Sequence, residues 1–260
     1  MDQCNGGFAH RIDKKSIPVC SILGVELAAI NMPWLLDFTD RNLKDLSGDY
    51  ICVSNVHTTV TAYQDFAYRA VQNGGILAIP DGGPLSSTGR RRGYPDMQRV
   101  TGPDYMQKAI TLGLEKGWKH YFYGSTQETL DILAKELPQR YPGIQIAGMY
   151  SPPFRPMTEE EDRQIIEKIN AAEADFIWVG LGAPKQENWM YAHQGKLHGL
   201  MVGVGAAFDY EAGNIRRAPL WMQKQNLEWL YRLVQDPKRL FKRYFITNSV
   251  YLIQAGLRGK

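Results

Sequence analysis

The sequence predicts an α/β fold: a mostly parallel sheet with flanking helices, followed by a basic helical appendage. Three observations lead there. From Tyr50 onward, short apolar runs alternate with longer segments of helical character, as expected of crossover connections between parallel strands. Glycine-rich turns follow two of those runs, at Gly180-Leu181-Gly182 and Gly203-Val204-Gly205. After Ala218 no further strand is evident and a basic, aromatic segment begins. The sheet is expected to be Rossmann-like. Residues 1–217 would form the α/β domain with a peripheral N-terminal segment, and residues 218–260 the basic amphipathic appendage.

Taken in order, Asn5 to Asp49 has weak periodicity and reads as a peripheral hairpin, or a strand, plus a helix near Met32–Leu43. Strands are expected at Tyr50–Ser54, Ile76–Ile79, His120–Tyr123, Ile144–Ala147, Asp175–Gly180 and Leu200–Val204, each short and apolar. Helices are expected between them at Thr58–Asn73, Asp104–Lys116, Thr126–Arg140, Thr158–Ala171 and Lys185–Gln194. Thr158 followed by Glu161 has the spacing of a capping box, in which each side chain satisfies the other residue's backbone N–H.

At 260 residues the chain is long enough to bury a large core, and its apolar and charged fractions are those of an ordinary globular protein. A net charge of +3 gives no argument for nucleic acid as a partner. Cys4, Cys20 and Cys52 are widely spaced and lack a Cys-x-x-Cys pair or a nearby His cluster, so a reducing compartment is expected and no metal site or disulfide framework. The polar residues between Met1 and Lys15 do not read as a signal peptide, and no apolar run reaches the roughly eighteen residues of a spanning helix.

Four motifs fall at strand ends, where open α/β sheets bind ligands. Asp81, in Ile79-Pro80-Asp81-Gly82-Gly83-Pro84, could be a base directed at a ligand hydroxyl, or a residue that only shapes an Asp-Gly turn. Asn55, in Ser54-Asn55-Val56-His57-Thr58-Thr59, could hold ligand oxygens or simply cap a helix. The turns containing Gly182 with Gln186, and Gly203 and Gly205 with Phe208 and Asp209, suit nucleotide phosphates through their backbone amides, or serve tight packing. Neither is a P-loop, and neither completes a G-x-G-x-x-G fingerprint. Arg90-Arg91-Arg92 reads as a phosphate-contacting loop or a solvated charge run, and the separate Arg99 could reach a pyrophosphate. From Leu230 to Lys260 there are seven basic residues against the single acidic Asp236. That segment reads as a membrane-surface element, a packed terminal helix or an oligomer contact.

The order of these pieces resembles the WecG/TagA/CpsF glycosyltransferases, glycosyltransferase family 26. The resemblance runs from about Val19 to Lys242: Asn55, then Pro80-Asp81-Gly82, Arg99-Val100-x-Gly102, Gly182-Ala183-Pro184-Lys185-Gln186-Glu187, Gly203-Val204-Gly205 with Phe208-Asp209, Arg217-Ala218-Pro219, and Leu227-Glu228-Trp229-Leu230-Tyr231-Arg232. The Gly-Ala-Pro-Lys-Gln-Glu string is its most specific piece. The resemblance implies an inverting, UDP-sugar-dependent hexosyltransferase. It would move a hexose, N-acetylhexosamine or uronic acid onto an undecaprenyl-diphosphate-linked acceptor at the cytoplasmic membrane face, with no metal and no cofactor beyond the donor. It makes Asp81 the candidate general base and places Asn55 and Arg99 in the catalytic pocket and Gln186 with the donor. Arg232, Arg239, Lys242 and Arg243 fall in the basic appendage that meets the lipid-linked acceptor. The family often carries Thr two residues before the Asn; Val53 stands there in this chain. Two other functions fit the residues alone, a nucleotide-cofactor oxidoreductase and a non-enzymatic membrane-peripheral scaffold, and a homo-oligomer is compatible with all of them.

Overall fold

The computed structural model describes residues 9–257, without the side chains of Lys224, Arg239, Lys242, Arg243 and Leu257. Cys4 therefore lies outside the described residues; Cys20 and Cys52 are buried free thiols. β1 (Val19–Ile22) and β2 (Val25–Ala28) form an antiparallel hairpin. Its two-residue turn, Leu23-Gly24, has φ of 53° and 86°, the positive-φ geometry that matches the twist of paired strands. α1 (Met32–Asn42) begins where Asn31 accepts a hydrogen bond from the Trp34 N–H at 2.9 Å.

Six further strands follow: β3 (Tyr50–Ser54), β4 (Leu77–Pro80), β5 (Lys119–Gly124), β6 (Gln145–Tyr150), β7 (Phe176–Gly180) and β8 (Leu200–Gly203). With the hairpin they make an eight-stranded sheet in the order β1-β2-β4-β3-β8-β7-β5-β6, parallel except at β1. Each of the six expected strands is present, with ends shifted by up to three residues.

Between β3 and β4 the expected Thr58–Asn73 helix is two helices, α2 (Val56–Gln64) and α3 (Phe66–Gly74). Asp65 causes the break: it takes an extended conformation, and its Oδ1 accepts from the Ala67 and Tyr68 N–H groups at 2.9 and 3.1 Å. An aspartate that caps a new helix ends the one before it. α4 (Gly83–Arg91) is an addition to the expected elements, because Gly83, Pro84 and Gly89 read as loop residues. A Cβ on Gly89 would lie 2.0 Å from Met97 Sδ, and one on Gly83 2.4 Å from Asn226 Cγ, so both glycines serve close approach within a helix. α5 (Gly102–Lys116), α6 (Gln127–Arg140), α7 (Glu159–Ala171, with the Thr158/Glu161 capping box formed) and α8 (Lys185–His193) lie where expected, and α9 (Ala207–Glu211) is a short addition.

The strands alternate their side chains between two cores. Along β3, Ile51 and Val53 join the core that includes Tyr105, Ala109, Leu133 and Phe208, whereas Tyr50 and Cys52 join the one that includes Val60, Tyr68, Val71 and Met190. The chain after β3 and after β7 therefore turns to one face, through α2 and α8, and the chain after β8 turns to the other, through α9. Loops that diverge to opposite faces open a crevice at the strand ends, the topological switch point of such sheets.

α10 (Leu220–Lys224), α11 (Glu228–Gln235) and α12 (Pro237–Leu257) are the last elements of the described residues. α12 is docked, not free: it runs along α2, and Leu240 and Tyr251 are buried. The Tyr251 hydroxyl donates to the Pro84 carbonyl at 3.1 Å and lies 2.9 Å from Thr88 Oγ1.

Candidate active site

The end of β3 delivers Asn55, the end of β4 Asp81, the end of β7 Gly182 and the end of β8 Gly205, so the topology gathers four of the sequence candidates along one sheet edge. Asn55 does cap α2: its Oδ1 accepts from the Thr58 N–H at 3.2 Å while Thr58 Oγ1 accepts from the Asn55 N–H at 2.9 Å. The cap uses Oδ1 of the side chain. Val53, two residues earlier, is 7% exposed and packs beside Gly102.

Asp81 is held by its backbone. Its N–H donates to the Ser54 carbonyl at 2.8 Å, and its carbonyl accepts from Arg99 Nε at 2.7 Å. The carboxylate is a quarter exposed, 3.6 Å from Arg99 Nη2, and its Oδ1 accepts no hydrogen bond among the described residues. Burial pushes its pKa up to about 6; Arg99 opposes the rise and Glu228 adds to it.

Arg99 turns its Nη2 to Glu228 Oε2 at 2.6 Å. The other Glu228 oxygen meets Arg217 Nε at 3.3 Å, and Arg217 Nη1 meets Asp104 Oδ1 at 2.6 Å. Burial raises the Asp104 pKa, and the hydrogen bonds from Arg217 and Thr101 outweigh it and hold this carboxyl below the usual range. An ion network thus runs from Asp81 through Arg99, Glu228 and Arg217 to Asp104 and joins α11 to the end of β4. Glu228, Arg217 and Asp104 are not site candidates from sequence; the first two stand inside motifs that carry the resemblance, but nothing local shows that they meet.

Gln186 lies between the two glycine turns. It is 3% exposed, and its Oε1 accepts from the Gly182 and Gly205 N–H groups, both at 3.1 Å. Its Nε2 donates to Glu187 Oε1 at 2.9 Å. It is a staple between the two glycine turns. Both amides donate to Gln186. Behind it a buried chain continues through Glu187, Tyr68, Gln72 and Ser54 back to β3. A Cβ on Gly203 would meet Met190 Cε at 2.8 Å and Gln186 Nε2 at 3.0 Å. Phe208 is core, 1% exposed with its ring edge-on to Phe122, and it closes on Gly180; Asp209 accepts from Asn214 Nδ2 at 3.4 Å.

Arg90, Arg91 and Arg92 lie in and just after the last turn of α4, where they bond the Met97 carbonyl, Thr88 Oγ1 and the Ser21 carbonyl. They do not form a phosphate loop. Arg232, on α11, sits with its guanidinium carbon 5.9 Å from the Tyr210 ring and borders the Asp81 site. Arg239, Lys242 and Arg243 fall on the α12 backbone, and their side chains lie outside the described residues.

Comparison with known proteins gives one family and a set of relatives. Residues 20–259 match the model of the glycosyl transferase WecG/TagA/CpsF family. A Staphylococcus aureus protein named N-acetylglucosaminyldiphosphoundecaprenol N-acetyl-beta-D-mannosaminyltransferase is 28% identical over 243 residues, 91% of this chain and 92% of its own length. A Bacillus spizizenii protein of the same name is 29% identical over 217 residues, 78% of this chain and 82% of that one.

Proposed function

Because the chain belongs to the WecG/TagA/CpsF glycosyltransferase family, we propose that it transfers a sugar with inversion from a UDP-sugar to a polyprenyl-diphosphate-linked acceptor in cell-surface polysaccharide or teichoic acid synthesis. Family membership sets aside the oxidoreductase reading. The observation that carries the mechanism is Asp81: a strand-end carboxylate with no hydrogen bond at Oδ1 among the described residues, raised to about 6, beside the Arg99 cation. Asp81 takes the proton of the acceptor hydroxyl, the oxygen forms a bond to the anomeric carbon, and the bond from that carbon to UDP breaks with its electron pair on the departing phosphate. Arg99 and Arg232 supply positive charge for that phosphate. Gln186 acts on the donor through the two turns it staples.

The relatives' names make an N-acetylmannosamine nucleotide the first donor to try and an N-acetylglucosaminyl diphosphate lipid the first acceptor. Mass spectrometry on a panel of UDP-sugars should find transfer from one of them, undiminished by EDTA. The base must be ionised to act, so kcat/KM should fall as the pH drops through about 6, the pKa raised at Asp81. Transfer with no acidic limb in that range would remove Asp81 from the role.

The location we propose is the cytoplasmic membrane surface. Among the described residues no helix is long and apolar enough to cross a membrane. In the C-terminal helices Trp221, Val234, Phe241, Phe245, Leu252 and Ile253 are exposed, and α12 also carries basic positions. Phe241 and Phe245 stack on each other at 6.2 Å and are 62% and 66% exposed. Replacing both by Ser should weaken binding to anionic vesicles about a hundredfold, at about 1.5 kcal/mol per ring, and leave the melting temperature unchanged. Unchanged flotation together with a concentration-dependent mass would assign the face to a second copy of the chain instead.

A further inference from the structure

We propose that Glu228 is a positioning residue: by holding the Arg99 guanidinium, it keeps that cation from tightening its 3.6 Å ion pair with Asp81 into a hydrogen bond, so that docking of α11 is what leaves Asp81 Oδ1 without one. The inference rests on the reading of Asp81 as base and adds a device that controls it.

The geometry sets two carboxylates in competition for one cation. Arg99 Nη2 is 2.6 Å from Glu228 Oε2 and 3.6 Å from Asp81 Oδ1. The Arg99 Nε bond to the Asp81 carbonyl and the Nη1 bond to the Gln223 carbonyl at 3.5 Å hold the guanidinium next to the base, and Nη2 is the end that faces both carboxylates. A movement of about 0.8 Å would bring Nη2 to the roughly 2.8 Å of a charge-assisted bond with Asp81. What prevents it comes from the C-terminal helices. Glu228 is 7% exposed, its second oxygen is pinned by Arg217, and Arg217 is pinned in turn by Asp104. With α11 in place the Arg99 charge is shared with Glu228 and Asp81 Oδ1 stays without a hydrogen bond. With α11 displaced, Asp81 becomes the carboxylate left beside Arg99. A paired carboxylate is a weaker base.

The charged and titratable groups that bear on Asp81 are Arg99 ahead of α5, Asp104 on α5, Tyr210 on α9, and Glu228 and Arg232 on α11. Glu228 and Asp104 raise the Asp81 pKa, and Arg99 and Arg232 lower it. Neutralising Glu228 removes a raising charge and releases a lowering one. Both effects have the same sign, so the Asp81 pKa falls. The pH at which the base becomes active moves down with it.

The test is the pH profile of kcat/KM for the full chain with vesicle-borne acceptor, measured for the wild type, Glu228→Gln, Glu228→Asp and Asp81→Asn. Gln keeps the shape and an acceptor oxygen while losing the charge. We expect its acidic limb to move down by about one pH unit and its plateau kcat to fall about tenfold, with the donor KM within about twofold of wild type. Glu228→Asp keeps the charge at a longer reach and should shift the limb the same way by less than half as much. If the Gln variant does not fold, the Asp variant decides: a limb at the wild-type pH overturns the proposal. An unmoved limb with a raised acceptor KM in Glu228→Gln overturns it as well, since Glu228 would then only fasten α11. Asp81→Asn separates the two readings. If that variant keeps its activity, the base assignment fails and this inference with it; if it is inactive while the Glu228→Gln limb is unmoved, only the present inference fails.

Discussion

Asp81→Asn is expected to lower kcat by about a thousandfold, within the usual contribution of a general base, and at the same time to make the protein more stable at neutral pH. The second half follows from the same environment as the first. Burial and Glu228 raise the folded-state pKa to about 6, against about 3.9 in the unfolded chain. The native state therefore binds the proton more tightly than the unfolded state does, and the contribution of Asp81 becomes less favourable as pH rises from about 4 through 6. Two pKa units correspond to about 3 kcal/mol by about pH 8. Asn does not titrate, so the variant should melt about 6 °C above the wild type at about pH 8, with the advantage roughly halved near pH 5 and mostly gone by pH 4. Calorimetry across that range, run beside the transfer assay, checks both halves. A variant that is inactive and less stable at every pH would mean that Asp81 serves to hold the β4 turn. An active variant would remove Asp81 from the role of base.

The opposition between activity and stability at Asp81 shows which parts of the site a sequence can carry. Asn55, Asp81, Gly182 and Gly205 can be placed on one sheet edge from the strand pattern alone, because each follows an apolar run and parallel strands end on the same side. The charge balance at Asp81 cannot be placed that way, because Glu228 is 129 residues from Arg99 in the chain and meets it only through the docking of α11. The same limit explains the errors in the elements. Asp65 splits α2 from α3 by bonding two amides of the next helix, a choice that hydrophobic period does not reveal. Gly83 and Gly89 read as loop residues because their use is a contact with Asn226 and Met97, not a turn. The hydrogen bonds of Gln186 join the β7 and β8 turns, and only the meeting of those turns makes it a staple. The C-terminal basic segment reads as surface, packed helix or contact. α12 buries Tyr251 and Leu240 on one side and leaves Phe241 and Phe245 open on the other.

Gln186→Glu, a change of one heavy atom, should convert the staple into a pH-dependent fault. At this position the side chain is 3% exposed and its Nε2 donates to Oε1 of Glu187, which is itself fully buried. An ionised carboxylate introduced there would face the Glu187 carboxylate where Nε2 now donates, so one of the two must take up a proton to restore the bond. Its remaining oxygen can still accept from Gly182 and Gly205, and the protonated form should therefore keep the native fold. Holding a carboxyl of ordinary pKa about 4.3 protonated costs about 1.4 kcal/mol for each pH unit above that value, or about 4 kcal/mol at about pH 7.5. The folded-state pKa is raised, so the stability deficit is small near pH 5 and grows as pH rises. Urea unfolding at about pH 5 and about pH 8 should show it, with a donor KM that climbs over the same interval as the two turns loosen. Gln186→Ala gives the reference: it loses the donor and both acceptor contacts at every pH and should be destabilised by about 3 kcal/mol throughout. A Glu variant with a pH-independent deficit like that of Ala would show that the turns, and not the Glu187 contact, set the cost. A Glu variant as stable as wild type at about pH 8 would mean that solvent reaches this pair and that the staple is looser than its hydrogen bonds indicate.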